Sequence, residues 1–128
     1  MPQEIAIKSL HLEYRLWIAE LNFDINLIRI FNDRLLEIGE ENKSAETKKK
    51  LEDLEKKFGV SRDTIDSLRH RMHLEKMNLA AIARENAKPG LKISIPENYA
   101  YIRNDFFEFR ISFNDLKSEF LRFESHAS

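Results

Sequence analysis

Tyr99, Ile102, Phe106, Phe109, Phe113, Leu116, Phe120 and Phe123 form a run of bulky apolar residues whose spacing alternates between three and four. An apolar residue every 3.5 positions keeps one face of a slightly underwound helix turned toward a partner along its whole length, so this segment must pack against other long helices. The rhythm occurs twice more. Leu10, Tyr14, Trp17, Leu21, Asp24, Ile28, Phe31, Leu35 and Ile38 carry it early, and Leu51, Leu54, Phe58, Ser61, Ile65, Leu68, Met72, Glu75, Leu79 and Ile82 carry it in the middle. The pattern implies an all-α fold: three long helices in an antiparallel coiled-coil-like bundle.

A chain of 128 residues is long enough to bury a core without metals or disulfides, and a single domain, 1–128, is expected. Charged residues make up 34% against 42% hydrophobic, a balance that suits amphipathic helices with solvated outer faces better than a disordered chain. Lys and Arg number 21 against 22 Asp and Glu, so no global field draws the protein to nucleic acid or anionic lipid, and such binding would need a local patch. The absence of cysteine excludes disulfides, thiolate metal sites and cysteine nucleophiles. Met1-Pro2-Gln3-Glu4 lacks the basic start of a secretory signal, and no apolar run is long enough to span a bilayer, which makes the cytoplasm the expected location.

Turn and cap residues divide the chain into helices over about 4–38, 45–87 and 96–124. Gly39 and the polar run to Ser44 end the first, and Ser44 is an N-cap for the second. Lys88-Pro89-Gly90 ends the second, because proline disfavours helix in the residue before it and glycine permits a left-handed turn. Leu91 to Ile95 alternates but is too short for an isolated strand, so it should lie extended over the bundle end. Ser94 and Glu97 have the spacing of a capping box for the third helix, and Ser125 to Ser128 should fray.

Folding the first two helices about Lys43 sets Asp24 level with Ser61 and Arg62, and His11 level with Glu75. Folding back the third brings Arg122 toward the Asp24 layer and Arg110 toward the His11 and Glu75 layer. Polar residues in an apolar seam must be paired or reach water, so these layers should fix the register of the bundle. Leu12, Leu16, Phe23, Leu27 and Ile30 lie off the main seam of the first helix. Together with Phe31 and Leu35 at a hairpin tip that a shorter third helix leaves uncovered, they form the expected partner interface; Phe107, Ile111 and Leu121 are likewise off the seam of the third helix, and such extra apolar residues either widen the core contact or form a second interface. A homodimer is the commonest way to cover such a stripe.

Two constellations suggest chemistry. Leu54, Phe58, Gly59, Val60, Ser61, Arg62, Thr64, Ile65 and Leu68 resemble the helix-turn-helix of bacterial transcription regulators. That resemblance implies a turn at Gly59, inward Val60, and DNA contacts from Arg62, Arg69 and Arg71, although Asp63 and Asp66 on the same helix oppose phosphate. A helix continuous through Gly59 is the competing expectation. His70 and His73, three apart, with His11 across the hairpin and Glu75 or Asp66 on their own helix, are the metal-ligand candidates. No phosphate-binding loop, catalytic triad or nucleotide fingerprint is present, and no cofactor is implied. As a whole, through Tyr14-Arg15-Leu16-Trp17 to Leu21 and the heptad third helix, the chain resembles small proteins of three long antiparallel helices for which no activity is established. The expectation is therefore a non-enzymatic helical interaction or scaffold protein, with DNA-binding regulator and metal-binding bundle as alternatives.

Overall fold

The computed structural model of the chain describes residues 3–86 and 88–127. A short strand, β1 (Glu4–Ala6), leads into α1 (Ile7–Glu41). Then come α2 (Ala45–Glu85), a second short strand β2 (Lys92–Ser94) and α3 (Glu97–Ala127). The three helices form a bundle in which α2 runs antiparallel to its neighbours. Phe31 meets Phe58 and Asn22 meets Arg69 across the α1/α2 hairpin, so numbers rise on one helix as they fall on the other. On α1 and α3 they rise together: Glu13 bonds Tyr99, Asp24 bonds Arg110, and Arg34 bonds Glu124.

The core follows the apolar seams. Leu54, Phe58, Ile65, Leu68, Met72 and Leu79 are the buried residues of α2, and Ile102, Phe106, Phe109, Phe113, Leu116 and Phe120 those of α3; all twelve lie on the three-four stripes. Burial on α1 adds Ile7 and Ile18 to its stripe. Rings concentrate at two levels. Tyr14 and Trp17 pack on Tyr99 and Phe106 near one end, while Phe31, Phe58 and Phe120, one from each helix, meet toward the other.

Helix α2 continues without interruption through Gly59. Among the described residues, Gly90 is the only glycine at positive φ, and Val60, which a helix-turn-helix would turn inward, is 60% exposed. The turn required by the regulator resemblance is therefore not formed: the heptad stripe on either side of Gly59 keeps its register, and packing of Phe58 and Ile65 overrides the weak helix propensity of one glycine. A Cβ added at Gly59 would meet nothing within 4 Å. Gly59→Ala should therefore stabilise the protein by about 1 kcal/mol, measurable as a shifted urea midpoint at unchanged slope. Gly39 is different, since a Cβ there would lie 3.2 Å from Leu51 Cδ1 across the hairpin.

Several boundaries differ from those expected. The chain at Glu4 is strand, not helix. It pairs antiparallel with β2 in the register Glu4 to Ser94, Ile5 to Ile93 and Ala6 to Lys92, so Leu91 to Ile95 does not lie unpaired over the bundle end. Ile7 N donates to Leu91 O at 3.0 Å and Ile95 N to Gln3 O at 3.2 Å, extending the ladder at both ends. Two three-residue strands would not persist alone, but here each is anchored by the helix that follows it. Ser94 is consequently a sheet residue, and α3 begins directly after Pro96, whose fixed φ suits a helix start.

Helix α1 runs through Gly39 to Glu41, and Asn42 N closes it on Ile38 O at 2.9 Å. Ser44 does cap α2, its Oγ accepting from Thr47 N at 3.1 Å. The end expected for the second helix at 87 lies outside the described residues, and α2 ends at Glu85. Helix α3 extends past Glu124 to Ala127, where fraying was expected. Its last turns cover the hairpin tip, so Leu35, Ile38 and Leu54 are fully buried. The longer α1 moves the fold of the hairpin to about residue 45, which shifts α2 by about one turn against the expected layers.

Candidate functional site: the α1/α3 face

Helices α1 and α3 run side by side and in the same direction, and their shared outer side is built from residues just off the two core seams. At its base lies Asp24, a fully buried acid at a seam position of α1. Arg110, not Arg122, is its partner: Arg110 Nη1 donates to Asp24 Oδ2 at 2.5 Å, while Arg122 is exposed. The level of α3 against α1 explains the exchange: α3 starts beside Glu13 through Tyr99, and eleven residues further along both helices this sets Arg110, not a residue three turns later, beside Asp24. Glu75, which was expected to share a layer with Arg110, accepts instead from Asn98 Nδ2 at 3.1 Å.

Asp24 Oδ1 is buried and has no hydrogen-bond partner among the described residues. Burial pushes the Asp24 carboxyl above its ordinary range, and the attraction of Arg110, about a third exposed, only partly offsets it. A carboxyl raised in the folded state binds its proton more tightly there than in the unfolded chain. Its ionisation therefore destabilises the fold as pH rises through the folded value, and the effect vanishes below the unfolded value near pH 4. Asp24→Asn, which keeps the shape of the neutral acid, should be at least as stable as the natural protein at pH 7. The gap should close as the pH is lowered toward 3, as read from paired urea titrations across that range.

Above Asp24 the face is apolar. Leu16, Phe23 and Ile30, at 57%, 61% and 59% exposure, line α1 at seven-residue intervals, with Leu12 one turn earlier. Phe107, Ile111 and Leu121 are exposed on α3. Two open grooves follow the junction between the helices. One is lined by Leu16, Trp17, Ala19, Glu20, Phe23 and Arg110, and the other by Ile30, Phe31, Phe120 and Leu121 with the charged Asp33, Arg34, Glu37 and Glu124. The α2/α3 side carries polar grooves instead, with Asp63, Thr64, Arg71 and Asp105 around one and Asp53, Lys57 and Glu119 around another. On that side Lys50 and Lys57 both donate to Glu119, holding its carboxyl below the usual range.

The residues expected at the partner interface divide. Leu12, Leu16, Phe23 and Ile30 are exposed on this face; Leu27 and Phe31 are half-buried against the core; Leu35 is wholly inside it. The last is a correction, and its cause is the reach of α3 over the hairpin tip. Tyr99, half-buried, donates its hydroxyl to Glu13 at the lower edge of the face, and burial together with that carboxylate raises the phenol to about 12.

The alternative sites do not assemble. His70 and His73 are exposed on α2, His11 is half-buried on α1, and among the described residues no group of three or more His, Asp or Glu side chains is arranged to hold a metal ion. Burial, with Lys76 and Arg15 nearby, lowers the His11 pKa. Of the arginines proposed to touch DNA, Arg69 bonds Asp66 and Asn22 at 2.7 and 2.8 Å, and Arg71 bonds Asp105 at 2.7 Å; Arg62 is exposed on an unbroken helix. Among the described residues, no helix is long and apolar enough to cross a membrane. Comparison with protein-family models, with curated proteins and with solved structures found no match to this chain.

Proposed function

We propose that the protein is a non-enzymatic, cytoplasmic interaction or scaffold module of coiled-coil type that works by association through the α1/α3 face, as a homodimer. The observation that carries this reading is the concentration of large exposed apolar side chains there. Of the twelve exposed among the described residues, seven lie on α1 or α3 at this face: Leu12, Leu16, Phe23, Ile30, Phe107, Ile111 and Leu121. Single exposed apolar residues are ordinary on a protein surface, but a contiguous stripe more than three turns long marks an association site. Polar grooves on the opposite side supply the contrast.

Sedimentation equilibrium up to high micromolar concentration tests the reading. The expected mass is twice 15.2 kDa. A chain that stays at 15.2 kDa throughout that range contradicts it.

A further inference from the structure

We infer that the second copy docks antiparallel on the α1/α3 face, across a two-fold axis that passes beside Phe23. The inference rests on the homodimer reading and gives it a geometry. Leu16, Phe23 and Ile30 are spaced seven apart, so the stripe is symmetrical about its central residue. Two antiparallel copies centred there set Phe23 against Phe23 and Leu16 of each copy against Ile30 of the other, which is the self-complementarity that a two-fold interface requires.

Charge selects the same direction. Lys8 and Arg15, both exposed, border the N-terminal half of the α1 stripe, where exposed Glu20 lies beside Leu16 and Phe23, whereas exposed Asp33 and Glu37 flank its C-terminal half, where Arg34 pairs with Glu37. Antiparallel packing centred on Phe23 lays Lys8 and Arg15 of each copy along Glu37 and Asp33 of the other, twice per dimer. Parallel packing would stack like charge on like. The extent is also sufficient. The half- to two-thirds-exposed apolar side chains of the face present on the order of 800 Å², the share that one partner brings to an interface of standard size. A net charge of -1 per chain leaves little general repulsion between copies.

Because the chain contains no cysteine, single introduced thiols report the geometry without background. Phe23→Cys, Leu16→Cys and Ile30→Cys proteins would be oxidised at a concentration where sedimentation shows the dimer. Phe23→Cys should cross-link to itself. Leu16→Cys and Ile30→Cys should each remain uncross-linked alone, since fourteen residues of helix separate like positions by about 21 Å, far beyond disulfide reach. Mixed in equal amounts, those two should give the heterologous cross-link. Should Phe23→Cys itself weaken the dimer, the mixture decides, because it leaves Phe23 in place. Self-cross-linking of Leu16→Cys as fast as the mixed pair would overturn the antiparallel arrangement. A dimer in which neither Phe23→Cys nor the mixture cross-links would move the interface off this stripe. A chain that is monomeric before any cysteine is introduced removes the homodimer reading itself, and a different protein partner would then occupy the face.

Discussion

Phe58→Ala should cost about 3–5 kcal/mol of folding stability, enough to leave the protein marginal or unfolded at 37 °C. Phe58 is fully buried and lies where all three helices converge, its ring centroid 5.4 Å from Phe31 on α1 and 5.9 Å from Phe120 on α3. Truncation removes the transfer energy of a whole aromatic ring and leaves a hole that three long helices cannot close without shifting together. Equilibrium urea unfolding followed by far-ultraviolet circular dichroism checks the value. Phe58→Leu, which keeps most of the volume, should lose distinctly less.

The second large effect concerns association alone. Phe23→Lys should weaken self-association by at least about 100-fold, because the dimer carries the substitution twice and two ammonium groups would face each other on the axis. Phe23 is 61% exposed in the single chain, so the same change should alter the stability of the monomer by no more than about 0.5 kcal/mol. The pair of measurements separates an interface residue from a core residue. Sedimentation reports the first, and unfolding at a concentration low enough to keep both proteins monomeric reports the second, which matters because association raises apparent stability by mass action. Loss of folding stability in step with loss of association would show that Phe23 supports the fold rather than a partner.

The seams were legible because a 3.5-residue apolar period states both that a segment is helical and which residues it turns inward. That is why Leu54 to Leu79 and Ile102 to Phe120 lie in the core as their spacing requires. The same spacing cannot say how far the neighbouring helix reaches. Phe31 and Leu35 have the apolar character of an interface, and only the level of α3, which sets Phe120 on Phe31 and Glu124 beside Arg34, decides that they are covered. The partner of Asp24 was illegible for a related reason. Register along the bundle depends on where α1 stops and on a three-residue strand pairing between Glu4–Ala6 and Lys92–Ser94, and segments so short carry too little pattern to announce themselves. The hairpin accounts for one turn of the difference between Arg122 and Arg110, and the level at which α3 starts, with Tyr99 beside Glu13, accounts for the rest. At Gly59 local propensity and global packing disagreed, and packing on both sides prevailed, so a run of residues with the spelling of a turn is helix. The outward stripe of Leu16, Phe23 and Ile30 was visible in the sequence as apolar residues off the main seam, and it is on the surface that they lie.

All of this rests on three unbroken helices held in one register, and α2 at Gly59 is where that is most directly measured. Spin labels on Glu52→Cys and Lys76→Cys, in a chain otherwise free of cysteine and diluted with unlabelled protein to suppress distances between copies, report its length. A continuous helix separates these positions by about 36 Å. A single distance distribution centred near that value is predicted, whereas a helix-turn-helix bend at Gly59 would bring the labels to about 25 Å and contradict the bundle, its layers and the face built on them.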